Sequence, residues 1–512
     1  MAQQCCGDGG GGIAANRAKP SSSAAAAIAS GEDRLSAFPD DVLVLILLGL
    51  GDIAEAARTS VLSHRWCRVW TLLPELCFHH LVPDDGRRIR EVLVAPDAPP
   101  PPLRRISVTA QDTGPDSLQA WLPDAARRVS GNLFYRNTAP PRMEDGDGDE
   151  AIQLPCFDNA TGIELTLGFL GLALPFAGNF TRLTNLGLYR VRLHGPCELG
   201  DVVSSSRCPN LKRLCVREAR GVDKLSIHSE SLLKVDLENL NGLRQLTVVA
   251  PVLEELKLYS CFAANKPVAV ISTPQLVFLE WKDPYDRHSV QLGNLGQLRR
   301  LRTDFFFVHG PHNIWQNLDM LEFLQQFQFI RGLDIILAYP RDISNLPYLM
   351  EGMTVVPRTD FLTICFLNEG HAFGPSLFHV LKLCTDIRRL AMVLFKSEGL
   401  ESACHSGCNC DQPTNWKAEE LLLNRLEVVD IGNLEGAEHE VVLVKRLFSW
   451  ATVLKKMRIT FDFSVSKSKA MVLLPILSSF SRPETRVEFY MHHDANEKSV
   501  FLLDPEDQGT AF

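Results

Sequence analysis

The chemistry this 512-residue sequence could do is narrow, and most of it centres on sulfur. Cys404-His405-x-x-Cys408-x-Cys410 places four soft ligands within seven residues, and zinc accepts such ligands in a tetrahedron. The spacing is not C-x-x-C, no second Cys/His pair stands at finger-like distance, and all four crowd onto one loop. They read as loop cysteines, with Cys404, His405, Cys408 and Cys410 as weak metal candidates whose role would be structural. Asp145, Asp147 and Asp149 imitate the first ligands of a calcium loop, but Glu150 takes the glycine position and Cys156 the glutamate position. They read as a solvated acidic loop. His79-His80 and His492-His493 are adjacent pairs, and neighbours in an extended segment face opposite ways. Gly7, Gly9 and Gly12 satisfy G-x-G-x-x-G with neither a strand before nor a helix after. A P-loop, H-E-x-x-H and G-x-S-x-G are all missing. No catalytic residue, resident metal or cofactor is assigned, and the chain reads as a non-enzyme.

Composition narrows the partners. A net charge of −9 argues against nucleic acid, which wants a basic face. The longest apolar run, Val42 to Leu50, is far short of the roughly 20 residues that span a bilayer. The N-terminus has no basic residue before Arg17, unlike a secretory signal. Fourteen scattered cysteines then read as reduced thiols in the cytoplasm or nucleus.

The elements that would position a binding surface start at residue 33. Ser36 precedes a helix, Pro39 suits its first position, and Asp40 and Asp41 favour its positive end. From Val42 to Leu50 that helix is apolar nearly all round, so it must bury every side. A segment of about 45 residues cannot do that alone. The surplus implies a partner. Trp66 and Trp70, four apart, share a helical face.

This stretch resembles an F-box. Leu35, Pro39, Val42, Leu43, Ile46, Leu47 and Leu50 fall on the first half of that pattern. Arg58-Thr59-Ser60-Val61-Leu62-Ser63, Arg65-Trp66 and Trp70 fall on the second. Phe38, Gly51 and His64 depart from it, the first two without loss of bulk or of a helix stop. The resemblance implies a three-helix module that docks a Skp-type adaptor and, through it, cullin and RING subunits. The adaptor-binding residues it implies are Leu35, Pro39, Leu43, Ile46, Leu47, Leu50, Leu62, Trp66 and Trp70.

A repeat follows. L-x-x-L-x-L, with Val or Ile tolerated, is clearest at Leu211/Leu214/Val216, Val222/Leu225/Ile227, Leu232/Val235/Leu237, Leu243/Leu246/Val248 and Leu253/Leu256/Leu258. Successive starts are 11, 10, 11 and 10 residues apart, so each interval of about 21 holds two extended segments. Further copies start at Leu183, Leu276 and Leu298, then at Ile387, Leu426 and Leu454. Such spacing marks a leucine-rich-repeat solenoid. Phe305 to Phe307 and the stretch from Trp315 to Phe329 break the rhythm and read as a helical insertion.

Cys408-Asn409-Cys410-Asp411-Gln412-Pro413-Thr414-Asn415-Trp416, then Leu426 to Ile431, Gly436 to Glu440 and Val444 to Phe461, resembles the FBD region of plant F-box proteins. It reads as strand, helix, strand and as a cap on the solenoid. The expected fold is therefore α/β: a small N-terminal three-helix F-box, an irregular leucine-rich-repeat solenoid and an FBD-like C-terminal cap. The boundaries are a disordered leader at 1–32, the F-box at 33–80, and a linker with low-complexity loops opening the repeat domain at 81–155. The repeats then occupy 156–390, the FBD-like region 391–465 and a C-terminal segment 466–512. The resemblance implies the substrate-recruiting subunit of an SCF-type ubiquitin ligase, binding an unidentified target protein through its repeats. The alternatives are a non-catalytic adaptor-binding scaffold or competitor, and a small-molecule receptor, which would need a basic pocket with convergent polar groups.

Overall fold

The computed structural model describes residues 38–81, 85–94, 102–138, 151–240, 242–262, 267–312, 314–395, 408–492 and 500–502. The expected leader, the proline-rich spacer up to Pro101, the acidic loop at 143–150, Leu35, Ser36, Cys404 and His405 lie outside these residues. The chain divides into two compact units, Met1–Leu73 and Pro74–Phe512.

The first unit is helical. Its opening helix, Asp40–Leu48, has Pro39 as N-cap rather than as first helical residue, with Asp40 and Asp41 in the first turn. Asp52 caps the helix Ile53–Arg58 by accepting the Ala54 N–H at 2.6 Å. A 3-10 turn, Thr59–Val61, leads to the short helix Trp66–Val69 and a second 3-10 turn, Trp70–Leu72. Arg65 ties the ends together, donating to Asp40 at 2.6 and 2.8 Å and to the Phe38 carbonyl at 2.6 Å. The sequence placed residues 74–80 in this module. The structure makes Glu75–Leu81 the first strand of the second unit, where it pairs in parallel with Leu103–Ala110.

The second unit is a leucine-rich-repeat solenoid built on one 17-stranded sheet. After Leu103–Ala110 and Val129–Asn137 its strands follow one another in chain order, all parallel up to Arg486–His492. The last strand, Val500–Leu502, turns back antiparallel. Parallel neighbours need a return element, and between residues 224 and 292 that element is itself a strand. Lys224–His228, Gln245–Val249, Val268–Ser272 and Val290–Leu292 form a second parallel sheet, in register. The alternating starts in the sequence are thus two sheets, visited in turn.

Register makes the core continuous. Leu214, Val235, Leu256, Leu279, Leu301 and Leu333 stand in one row across six strands, and none is more than 1% exposed. Leu188, Val216, Leu237 and Leu258 form the next inward row. Strands end on left-handed residues, Arg190, Glu218, Asn239 and Ser260. That conformation costs an L-residue about 1–2 kcal/mol, and the backbone ladder holds it: Asn239 N–H donates to the Tyr259 carbonyl at 2.8 Å, and Ser260 N–H to Lys282 at 3.1 Å.

One expectation is narrowed and two are corrected. Of the linker and start of the repeat domain expected at 81–155, the described residues hold the repeat domain: helices Gly86–Leu93 and Leu122–Arg128 and strands Leu103–Ala110 and Val129–Asn137 are already solenoid. The segment from Trp315 is no insertion, because helix Trp315–Leu324 is the return element between strands Arg300–Phe307 and Gly332–Ala338. Phe323 anchors it between Trp281 and Tyr285, with ring centroids 5.6 and 5.1 Å away. The FBD-like strand Val428–Leu434, helix Glu438–Trp450 and strand Lys456–Phe461 form as expected. They do not end the stack, since helix Lys467–Ser478 and strand Arg486–His492 extend the same sheet.

Two buried carboxyls brace turns. Asp283 Oδ1 accepts the N–H groups of Cys261 at 2.7 Å and Phe262 at 3.0 Å, while its other oxygen, equally buried, has no hydrogen-bond partner. Burial pushes this carboxyl up to about 7 against those two donors, and nearby Asp304 adds to the rise. Glu440 Oε2 accepts from Gly436 N–H at 2.6 Å and Ala437 N–H at 3.0 Å, and burial pushes it too to about 7. A group whose folded value is raised keeps a proton that the unfolded chain has lost. Its contribution is complete below the unfolded value and disappears as pH rises through the folded one. His309 and His439, pushed down by burial, act in the opposite direction, their contribution fading on acidification. Comparison with a neutral variant isolates the carboxyl: Asp283→Asn should gain thermal stability relative to wild type as pH rises from about 5 to about 8. An unfolding-temperature series over that range checks this, and a gap independent of pH is the contrary result.

Candidate functional site

The opening helix of the first unit divides its apolar residues by face. Leu43 and Leu47, four apart, are buried at 0% and 2% exposure together with Ile53, Ala56, Trp66, Val69 and Leu73. Leu45, at 68%, and Ile46 and Leu50, at 42% and 40%, are exposed. Val61 and Leu62, at 88% and 60%, stand out beside the 3-10 turn, and Phe38 and Leu72 are exposed as well. Seven large apolar side chains exposed over residues 38–73 are more than a unit of this size leaves wet without a reason.

The nine sequence-derived positions therefore separate. Pro39, Ile46, Leu50 and Leu62 are exposed, and Trp70 is half-buried. Leu43, Leu47 and Trp66 are buried in the packing of the module itself. Leu35 lies outside the described residues. Sequence reasoning missed Leu45 and Val61. Counting 3.6 residues per turn from the inward Leu43 and Leu47 would have put Leu45 on the outer face.

The solenoid offers a second surface. Side chains alternating with the inward leucines form an open, highly charged face on the long sheet. Arg300 and Arg302 both reach Asp334, at 2.8 and 3.1 Å, and Arg302 also reaches Glu280 at 3.4 Å. Arg389 and Arg458 flank Asp430 at 2.6 and 2.7 Å. The Asp334 and Glu280 carboxylates are buried, so their arginine partners compensate charge that water reaches poorly, and the pairs fix side-chain directions on this face. The row breaks at Gly332, which stands in register between Arg300 and Phe361 and has no side chain. A groove of about 550 Å³ opens there, edged by Arg299, Arg300, Arg331 and Arg389 against the single carboxylate of Asp334. The Arg331 guanidinium lies over the exposed ring of Phe361, 5.6 Å from its centre. A larger depression of about 710 Å³ borders it behind Arg299 and Arg331, but loops line it without a cluster of charge.

A third cluster contains two of the sequence's metal candidates. Cys408 and Cys410 meet His371, and the ligand atoms of the three lie within 4.8 Å of one another. His371 carried no sequence signal, standing 37 residues from Cys408. The same segment packs through Trp416, fully buried, whose ring sits where a side chain on Gly374 would be; a Cβ there would come within 2.4 Å of it.

Residues 132–297, which hold the two-sheet part of the solenoid, match a family model described as "FBD-associated F-box protein At5g56370, LRR repeats". Along most of its length the chain is similar to F-box/FBD/LRR-repeat proteins. A putative F-box/FBD/LRR-repeat protein of Arabidopsis thaliana, At4g03220, is 24% identical over 90% of this chain and 95% of its own. The putative FBD-associated F-box protein At5g56400 of the same plant is 24% identical over 85% of this chain and 87% of its own. A third Arabidopsis relative, the F-box/FBD/LRR-repeat protein At5g22660, is 23% identical over 88% and 94%. Among the described residues, no helix is long and apolar enough to cross a membrane.

The division of the F-box-like helix gives a direct contrast. Leu43→Ala should destabilise the small unit by about 2–5 kcal/mol, whereas Leu45→Ala should change it by no more than about 0.5 kcal/mol. Hydrogen exchange over residues 40–72 reads both, and equal protection in the two variants would contradict the assigned faces.

Proposed function

We propose that this protein is a non-catalytic, target-binding subunit of an SCF-type cullin–RING ubiquitin ligase. The exposed Ile46, Leu50 and Leu62, with Leu45 and Val61 beside them in the sequence, dock a Skp-type adaptor. The open face of the solenoid holds a target protein. The observation carrying this reading is the excess of exposed apolar side chains on a small helical unit that also keeps a complete core of its own. A surface of that kind is stabilised when a partner removes it from water, at about 25 cal/mol per Å². The similarity to F-box/FBD/LRR-repeat proteins along most of the chain supports the same partner class.

The mechanism is positional. Holding a target beside a conjugating enzyme raises its effective concentration, and the bond-making groups belong to other subunits. On the target side, the Gly332 groove favours an acidic segment with an aromatic or aliphatic residue. Arg299 and Arg331 supply donors that no carboxylate among the described residues takes up, Arg300 and Arg389 add positive charge while paired to Asp334 and Asp430, and Phe361 supplies an apolar floor.

Co-purification with a Skp adaptor tests the adaptor half. Wild type should bind, and Leu45→Asp/Leu62→Asp should weaken binding by roughly thirtyfold or more, about 2 kcal/mol, without unfolding the unit. Both substitutions fall on exposed positions, so the variant remains folded where a charge at Leu43 would not. A folded wild type that ignores the adaptor removes the ligase reading.

A further inference from the structure

We infer that His371, Cys408 and Cys410 form a binding site for a soft, tetrahedrally coordinated divalent cation, with zinc the ion that fits. The imidazole is held in the tautomer a metal needs. Its Nε2 lies 3.1 Å from the backbone carbonyl of Arg341, which can only accept, so Nε2 carries the proton. Nδ1, on the other edge of the ring, lies 3.6 Å from Cys408 Sγ. An N–H to a backbone carbonyl is the usual outer support of a metal-bound histidine.

The spacing fits an ion better than a bond between the side chains. Zinc bonds of about 2.3 Å to sulfur and about 2.0–2.1 Å to nitrogen, set at tetrahedral angles, place S and N about 3.5 Å apart and two sulfurs about 3.8 Å apart. The Cys408–His371 separation of 3.6 Å is close to the first edge, and with all three atoms within 4.8 Å a closure of no more than about 1 Å by side-chain rotation completes the others.

The surroundings are those of a built site. His371 is 2% exposed and Cys410 6%. Ile343 and Ala372 pack against the two cysteines, and the Tyr339 ring stacks on His371 with centroids 6.1 Å apart. The His371 turn is fixed by its N–H donating to Asn368 O at 2.7 Å and by Asn368 Nδ2 donating to His371 O at 3.1 Å. On the other side, the 3-10 turn Asn409–Asp411 carries Cys410, with Cys408 capping its start, while the Asp411 carboxylate is engaged by Trp416 Nε1 at 3.0 Å and by Lys417. Three protein ligands leave the fourth position to solvent or another donor. Binding releases the thiol protons, and the ion then joins the turn after strand Phe361–Leu367 to the entry of the FBD-like region.

Cobalt(II), added alone to chelator-stripped full-length protein, is the probe. Wild type should bind about one ion per chain and develop thiolate-to-cobalt charge-transfer absorption, which added zinc should abolish. Cys410→Ser and His371→Gln should lose the absorption, and the exposed-cysteine control Cys67→Ser should keep it. Should the first two variants fail to fold, the wild-type stoichiometry and a fall in its unfolding temperature on chelation still decide. No absorption in wild type, or absorption unchanged in folded Cys410→Ser and His371→Gln, overturns the site.

Discussion

Parallel register is the constraint on which the solenoid depends. Because neighbouring strands align residue for residue, each inward position meets the same position of the strands beside it, and short alternating segments fuse into rows of leucine, valine and isoleucine. No single strand of five residues could bury such a row alone; its partners on either side are what exclude water. The same alignment dictates the open face, where side chains two apart must also match across strands. Arginines and carboxylates therefore meet as neighbours, and a single glycine at 332 becomes a gap rather than a defect. Core and open face are two readings of one register.

The small unit follows another logic. Its opening helix has enough apolar residues to serve two interfaces, and burial allots them. Leu43 and Leu47 turn inward to Trp66, while Leu45, Ile46 and Leu50 stay wet. Arg65, bridging to Asp40 and Phe38, closes the fold with polar contacts and leaves the outward residues uncommitted. The stability of the unit and the size of its exposed apolar surface can thus vary almost independently, since different side chains of one helix carry them.

Much of this was legible in the sequence. The starts at Leu183, Leu276, Ile387, Leu426 and Leu454 each lie two residues ahead of a strand of the long sheet, because the first apolar residue of the pattern fills the corner before the strand. The spacing of 10 and 11 between residues 211 and 253 gave the two-sheet alternation. Strands such as Leu103–Ala110 went unseen because a charged pair, Arg104-Arg105, interrupts the alternation and a proline run precedes it. The helix from Trp315 looked foreign only because the return element changes there from strand to helix while the main sheet continues. The inner and outer faces of the F-box-like helix were hidden for a different reason: when nearly every residue is apolar, periodicity has no contrast to display. His371 was beyond any local pattern, since only the stacking of successive repeats carries it to Cys408 and Cys410.

The sheet closes in an unusual direction. A stack of parallel strands is open-ended by nature, and its last member presents unpaired amide and carbonyl groups spaced to receive another of the same kind. Here Arg486–His492 is met by the reversed, three-residue strand Val500–Leu502. A second molecule approaching in repeat register would find a strand running the wrong way and too short to template its own. The reversed strand covers only Tyr490–His492, and a short edge of that kind blunts end-to-end addition, the route by which repeat proteins become fibres.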